Sequence, residues 1–438
     1  MIKVVKFGGS SLADASQFKK VADIVKAEKE RKYVVPSAPG KRFKEDTKVT
    51  DMLYECYSLA STGKSFDELF TKIRERYQQI IDELSLDVSL DEEFAKIRSA
   101  FVSKAGRDYA ASRGEYLNGI LLAAYLGFPF IDAAEVIFFK NDGSFDSEYT
   151  NDVLSKKLKE YEYAVIPGFY GSMPNDTIKT FSRGGSDITG SIVSRAAMAD
   201  LYENWTDVSG FLMADPRIVD SPMTIDTITY RELRELSYMG AGVLHEDAIF
   251  PVRLCGIPIN IRNTNDPSAR GTFIVAEAPT DRENTHNITG IAGKKGFCII
   301  SIEKDMMNQE LGFGRRVLKV LEDNGISFEH LPSGIDTMCV VVNQLAIDGL
   351  EKKIIDELSR AVAPDKIEIT RDVALIAVVG RGMKSRKGTA AKILTAVAES
   401  DVNIRMIDQG SSELNVILGI QQEDFEKALN AIYKKFVK

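Results

Sequence analysis

Lys6 closes an apolar run, Val4-Val5-Lys6-Phe7, and is followed at once by Gly8-Gly9-Ser10-Ser11. An ammonium group beside two glycines and two hydroxyls suits a phosphate. Glycine has no Cβ, so the backbone can bend there and approach a ligand closely. Ser10 and Ser11 are good N-cap types, and the helix they would open offers free N–H groups and a positive dipole end. The stretch is not a Walker loop, because G-x-x-x-x-G-K-[ST] is absent, and it is not a G-x-G-x-x-G dinucleotide turn. The plain alternative is a lysine that merely ends a strand.

A second glycine turn, Ser182-Arg183-Gly184-Gly185-Ser186-Asp187, adds a cation and an anion before another helical stretch. Glu115, in Ser112-Arg113-Gly114-Glu115-Tyr116-Leu117, is placed in the first turn of a helix that runs to Gly127, where the dipole alone would explain a carboxylate. Arg183 can grip a carboxylate bidentately and Glu115 can take an ammonium. A ligand needing both is an amino acid. Only three histidines are present, His245, His286 and His330, so chemistry built on imidazole bases or ligands is not expected. Phosphoryl transfer to a carboxylate needs none, since a carboxylate of pKa about 4 is already ionised at neutral pH. Catalysis then reduces to positioning and charge neutralisation, by Lys6 and Mg²⁺.

The elements that must position these groups read as α/β. Val4–Phe7, Tyr33–Ala38, Tyr163–Gly168, Leu201–Trp205 and Ile257–Arg262 read as strands, with Ile131 and Val136–Phe139 as shorter ones. Helical periodicity runs from Asp14 to Lys32, Thr50 to Leu59, Phe66 to Leu84, Glu92 to Ser103, Ile188 to Ala199 and Glu246 to Cys255. Two glycine turns at strand ends point to one sheet whose strand ends share a crevice. Lys41 to Asp46 is either a solvated loop or a lid over a negative ligand.

The 438 residues suggest two or three domains. A net charge of −8 with both signs interspersed gives no footprint for nucleic acid or anionic membrane. No apolar run is long enough to span a bilayer, and Cys56, Cys255, Cys298 and Cys339 form no C-x-x-C, so a cytoplasmic location with reduced thiols is expected. Periodicity fails over 276–287, which places the main boundary there. Beyond it the chain repeats itself at an offset of 76 residues, since Gly312 aligns with Gly388 and Val340 with Val416. Each copy reads as β-α-β-β-α-β. The expected division is a catalytic domain over 1–283 and two regulatory modules, 284–370 and 371–438. The first module would be completed by the C-terminal strand or helix.

The sequence resembles aspartokinase. Lys6–Ser11, Ser182–Asp187, and Trp205-Thr206-Asp207-Val208 with Asp215-Pro216-Arg217 look like the three signatures of that family, and Val243-Leu244-His245 and the double repeat match too. The resemblance implies an amino-acid-kinase fold, a three-layer αβα sandwich with a mainly parallel eight-stranded sheet, followed by two ferredoxin-like ACT domains. It implies ATP and Mg²⁺, and conversion of L-aspartate to 4-phospho-L-aspartate. Lys6 and Asp187 would be catalytic. Gly8, Gly9, Ser10 and Ser11 would cradle ATP phosphates, and Thr206, Asp207, Phe211 and Arg217 would line the nucleotide. Ser37, Thr50, Glu115, Arg183 and Ser186 would bind aspartate. No all-protein metal cage is expected, the Mg²⁺ being held by phosphates and water.

The regulatory half resembles that of lysine-sensitive relatives. Met307, Glu310, Gly312, Phe313, Gly314, Ser327, Phe328 and Glu329 would take lysine or threonine where ACT domains of two chains meet, in a homodimer or a tetramer. Phe313 and Phe328 have core packing as their plain alternative. No fused homoserine dehydrogenase is expected. Gly242 departs from the family, which often has an ATP-contacting lysine there, and Arg253, Lys41 or Arg42 could replace it. The rival readings are a kinase acting on glutamate and an inactive amino-acid sensor.

Overall fold

The computed structural model describes residues 1–182, 184–242, 244, 248–278, 287–384 and 386–437. The chain forms two compact units that interleave in sequence. One comprises Met1–Phe211, Thr224–Tyr230 and Val243–Ala278; the other comprises Leu212–Met223, Arg231–Gly242 and Pro279–Lys438. The division expected at one point near residue 283 is therefore not a single point, because two short segments of the N-terminal half pack with the C-terminal unit.

The first unit is built on a seven-stranded sheet, where eight were expected. Its order is Ala164–Val165, Arg31–Pro36, Lys3–Phe7, Leu201–Thr206, Ile259–Asn263, Thr272–Val275, Thr227–Thr229. All neighbours are parallel except Ile259–Asn263 with Thr272–Val275. Lys3–Phe7 is central and covered on both faces, as parallel strands must be. Val5 and Phe7 face a large apolar core shared with Phe18, Leu53, Tyr77, Leu121 and Trp205. Lys6 faces the other way, toward the helix Gly185–Ala196.

Three local readings change. The second glycine turn is fed not by a main strand but by Ile178–Thr180, which pairs with Tyr170–Ser172 in a separate ribbon. Val136–Phe139 makes only isolated bridges, from Phe138 to Ser172 and Phe139 to Phe145. The helix expected to open at Ser112 begins at Arg107 and ends at Leu126, with Gly127 left-handed at its C-terminal end. Glu115 thus sits in the middle of that helix, and the dipole no longer accounts for it.

The second unit carries a six-stranded antiparallel sheet, ordered Phe328–His330, Thr337–Asn343, Gly290–Glu303, Lys366–Val379, Asn415–Gln421, Ile404–Asp408. Two strands of 14 residues each, Gly290–Glu303 and Lys366–Val379, run through both modules. Their far halves pair Phe297–Glu303 with Val373–Lys366, and their near halves pair Gly290–Lys294 with Val379–Leu375. Each module therefore borrows half a strand from the other's side of the repeat. Gly312 and Gly388 occupy equivalent left-handed positions, φ 75° and 86°, before the helices Phe313–Asp323 and Thr389–Glu399. Among the described residues no helix is long and apolar enough to cross a membrane.

Candidate active site

Lys6 is only 7% exposed, and its charge is met inside the fold. Nζ lies 2.5 Å from Asp187 Oδ1 and donates to Asn204 Oδ1 at 3.3 Å. Asn204 Nδ2 in turn donates to Asp187 Oδ1 at 2.9 Å, closing a ring of three groups. Asp187 comes from the first turn of Gly185–Ala196, where a carboxylate suits the dipole. Left-handed Gly184, φ 57°, swings the chain into that helix. Asn204 was not anticipated from sequence, although strand alternation puts it on the Lys6 face while Glu203 and Trp205 face away.

The turn after Lys6 differs from the expected cap. A short 3₁₀ helix spans Gly9–Leu12, and no side chain caps it. Asp14 caps the α-helix Ala15–Ala27 instead, accepting from the Gln17 N–H at 3.0 Å. The Ser11 hydroxyl is buried against Thr264 Oγ1 at 2.7 Å, which anchors the turn to the sheet and occupies that oxygen. As at any helix start, the first N–H groups have no intrahelical acceptor. Glycine is demanded at Gly9 rather than Gly8. A Cβ on Gly9 would lie 2.9 Å from the Ala38 carbonyl, whereas one on Gly8 would meet nothing closer than 3.5 Å.

Glu115 is 5% exposed. Burial pushes its carboxyl up to about 8 from an ordinary 4.5, against the pull of the Ala38 N–H and of Arg113. Its Oε2 and the neighbouring Asn118 Oδ1 are buried without a hydrogen-bond partner among the described residues. Unsatisfied buried oxygens are costly and call for a donor beyond the described residues. An ammonium group would supply it. Ser37 is joined to Asn118, its carbonyl accepting from Asn118 Nδ2 at 2.7 Å. Thr50 lies close to Gly114. Ser186 is buried against Gly168. Arg183 lies outside the described residues, as do Val243 and His245.

The four residues expected to line the nucleotide differ in their surroundings. Thr206 ends its strand and donates to Asp207 Oδ1 at 3.1 Å. Phe211 is buried, its N–H held by Thr272 Oγ1 at 2.8 Å. Arg217 is exposed, paired with Asp215 at 2.6 Å, and belongs to the second unit. Lys41 and Arg42 are tied within their own loop, to the Lys44 carbonyl and to Asp46. Among the described residues no group of three histidine, cysteine or carboxylate side chains could hold a metal.

A sequence model of the amino acid kinase family matches residues 1–263, and an ACT domain model matches residues 376–436. Aspartokinase 3 of Bacillus subtilis is 42% identical over 99% of this chain and 98% of its own length. The chain belongs to the aspartokinases. The crystal structure of Clostridium acetobutylicum aspartate kinase covers 99% of this aspartokinase and all of its own chain, with 55% identity and a TM-score of 0.93. Escherichia coli aspartokinase III in complex with lysine and aspartate, in its T-state, matches over the full length of both chains at 25% identity and a TM-score of 0.73. Among longer relatives, the chain spans 50% of a Zea mays bifunctional aspartokinase/homoserine dehydrogenase at 28% identity. The chain is thus an aspartate kinase with an amino-acid-kinase domain and a C-terminal ACT region.

The residues expected to bind an effector lie in the second unit. Met307 and Phe313 are core residues there, so core packing holds for Phe313. Phe328 is 44% exposed on an edge strand, so it does not hold for Phe328. Glu310 pairs with Lys304 at 2.5 Å and with Arg316, and the Lys304 hydrogen bond above all holds its carboxyl below the usual range. Gly314 lies near Met338, Ser327 is exposed, and Glu329 accepts a hydrogen bond from the Tyr238 hydroxyl.

Proposed function

We propose that this aspartokinase transfers the γ-phosphoryl group of ATP to the β-carboxylate of L-aspartate, giving 4-phospho-L-aspartate, the entry to lysine, threonine and methionine. The observation that carries the site assignment is the buried Lys6–Asp187–Asn204 ring beside a glycine turn, together with a buried Glu115 whose Oε2 lacks a partner among the described residues. The substrate carboxylate is ionised at neutral pH and attacks without a base. Lys6 neutralises charge on the transferring group. Asp187 and Asn204 hold the Lys6 ammonium in one orientation. Gly9 lets the backbone N–H groups of the turn face the phosphates, and Glu115 receives the aspartate ammonium. Arg183 grips a carboxylate of the substrate, with Ser37, Thr50 and Ser186 around it.

Mg²⁺ fits as a cation carried in with the nucleotide, since among the described residues no group of three histidine, cysteine or carboxylate side chains could hold it; bound beside Asp187, it would shield phosphate charge. Thr206, Asp207, Phe211 and Arg217 are proposed to serve the nucleotide. The Escherichia coli relative binds lysine, which supports lysine as the effector, with threonine as the alternative, acting through Met307 to Glu329 in a dimer joined by ACT domains. The kinase domain is assigned to 1–283, apart from the segments 212–223 and 231–242 that pack with the second unit, the ACT domains to 284–370 and 371–438, and the protein to the cytoplasm.

Coupled ATP turnover with aspartate and with glutamate, and trapping of the acyl phosphate by hydroxylamine, test the reaction. Aspartate-dependent hydroxamate is expected, and turnover with glutamate alone would refute it.

A further inference from the structure

Residues 37–40 connect the two halves of the proposed site. The Ser37 N–H donates to the Phe7 carbonyl at 3.0 Å, and the Gly40 N–H donates to the Gly9 carbonyl at 2.8 Å. Between them, the Ala38 N–H lies near enough to Glu115 to draw its carboxyl down against the effect of burial. The backbones of Gly9 and Gly40 touch, so that a Cβ on Gly40 would lie 2.5 Å from the Gly9 carbonyl carbon. Whatever fixes Gly40 therefore fixes Gly9.

Arg76 fixes Gly40. It projects from the helix Asp67–Leu84 and is 5% exposed. Nη2 donates to the Gly40 carbonyl and to the Ala13 carbonyl at 3.4 Å; Nη1 donates to the Thr47 carbonyl at 2.9 Å and lies 3.3 Å from Asp46 Oδ2. One guanidinium thus ties together the end of the phosphate turn and both ends of the charged loop 41–46. Burying a guanidinium is costly, and an apolar side chain of similar volume would fill the same space. Its use here is explained by the three carbonyls, each from a different stretch, that only a planar multi-donor group can gather. Asp46 also accepts from the Arg42 N–H at 3.0 Å and Nε at 2.8 Å, so the loop closes on the same carboxylate. Arg76 reaches none of Lys6, Asp187 or Glu115 by any hydrogen bond or ion pair among the described residues. A cleft of about 420 Å³, lined by Arg42, Asp46, Met52 and Arg76 among others, opens beside it.

We infer that Arg76 is a positioning residue of the kinase reaction, setting the phosphate turn at its working distance from the Glu115 pocket through the Gly40–Gly9 contact. The inference rests on the reading of Lys6–Ser11 as the ATP-phosphate site.

The test is steady-state kinetics of Arg76→Ala, Arg76→Lys and Lys6→Ala, with and without millimolar guanidinium ion, on enzymes whose folding is checked by circular dichroism. Arg76→Ala is expected to raise KM for ATP by about tenfold, more than it lowers kcat, because a displacement of this kind misplaces the nucleotide. Guanidinium, entering by the cleft, should recover part of that loss in Arg76→Ala and nothing in the native enzyme. Arg76→Lys should fall between, keeping the charge but losing the fork. A folded Arg76→Ala enzyme with an unchanged KM for ATP overturns the assignment. So does a fall in kcat alone that guanidinium does not relieve, which is the mark of a lost active fraction. Should Arg76→Ala fail to fold, Asp46→Asn serves, with KM for ATP expected to rise about threefold; no rise overturns it. Wild-type turnover in Lys6→Ala would sink the ATP-site reading itself. Lost turnover in Lys6→Ala with normal Arg76→Ala kinetics sinks only the role of Arg76.

Discussion

The proposed catalytic and effector sites treat their charged groups in opposite ways. In the kinase unit Lys6, Asp187 and Asn204 are locked together, while Glu115 Oε2 and Asn118 Oδ1 are buried with no partner. That arrangement is organised before the ligand arrives and is incomplete without it. In the second unit the candidate effector carboxylates are already satisfied, Glu310 by Lys304 and Arg316, and Glu329 by Tyr238. A ligand there must displace protein partners. The first design favours tight, oriented binding; the second favours an exchange between two sets of contacts, which is what a regulatory site requires.

Breaking the first arrangement should give the largest effect. Lys6→Ala is expected to lower kcat on the order of 10²-fold or more with little change in aspartate affinity. Initial rates at saturating ATP, together with calorimetric aspartate binding, check this; near-normal kcat would refute the role given to Lys6.

Glu115→Gln should come next, raising KM for aspartate by about 10- to 100-fold through loss of a charge-assisted bond. The pH dependence sharpens the point. Burial holds the Glu115 carboxyl at about 8, above its ordinary 4.5, so in the ligand-free fold it is neutral below that pH. Its contribution to stability is therefore full at acid pH and is lost as pH rises from the unfolded value through about 8. The aspartate ammonium favours the ionised form instead. Binding should expel a proton between those limits, and KM for aspartate should fall as pH rises from 6 to 8. Calorimetry in buffers of differing ionisation enthalpy reads the proton, and a release that survives in Glu115→Gln would assign it elsewhere.

Asn204→Leu should cost about tenfold in kcat, since it removes both the acceptor for Lys6 and the donor to Asp187 while preserving volume. Kinetics with wild-type thermal stability and unchanged kcat would mean that the ring needs only its two charges. This residue also marks where sequence reasoning ends. Lys6, the glycine turn and Asp187 were legible because glycines and charges at strand ends are local patterns. The 76-residue repeat was legible because it is periodic, and the structure bears it out in Gly312 and Gly388. Asn204 carries no local signal, since its meaning depends on a strand pairing with Lys3–Phe7 almost 200 residues away. Ser112 looks like a cap in sequence, yet the helix Arg107–Leu126 runs five residues back past it. The half-strands shared by the two modules, and the segments 212–223 and 231–242 that join the second unit, are likewise products of long-range packing.

The smallest effect tests the second arrangement. Tyr238 lies in the segment 231–242, and its hydroxyl donates to Glu329 while the Lys294 ammonium stands 5.3 Å from its ring centre. The bond to Glu329 and burial push the phenol up to about 12, so it stays a donor throughout the working pH range. If an effector ammonium must take Glu329 from this hydroxyl, Tyr238→Phe removes the competitor without removing the ring. Inhibition by lysine should then set in at about two- to fivefold lower concentration, as expected for loss of one exposed hydrogen bond to a charged group. Basal kcat would be little changed, because Tyr238 has no part in the proposed chemistry. Glu329→Gln should shift the curve the other way. Dose–response curves of turnover against lysine and threonine, singly and together, measure both. Identical curves for native and Tyr238→Phe enzymes would mean that the effector does not compete at Glu329, and the contrast between the two sites would then rest on Glu310 alone.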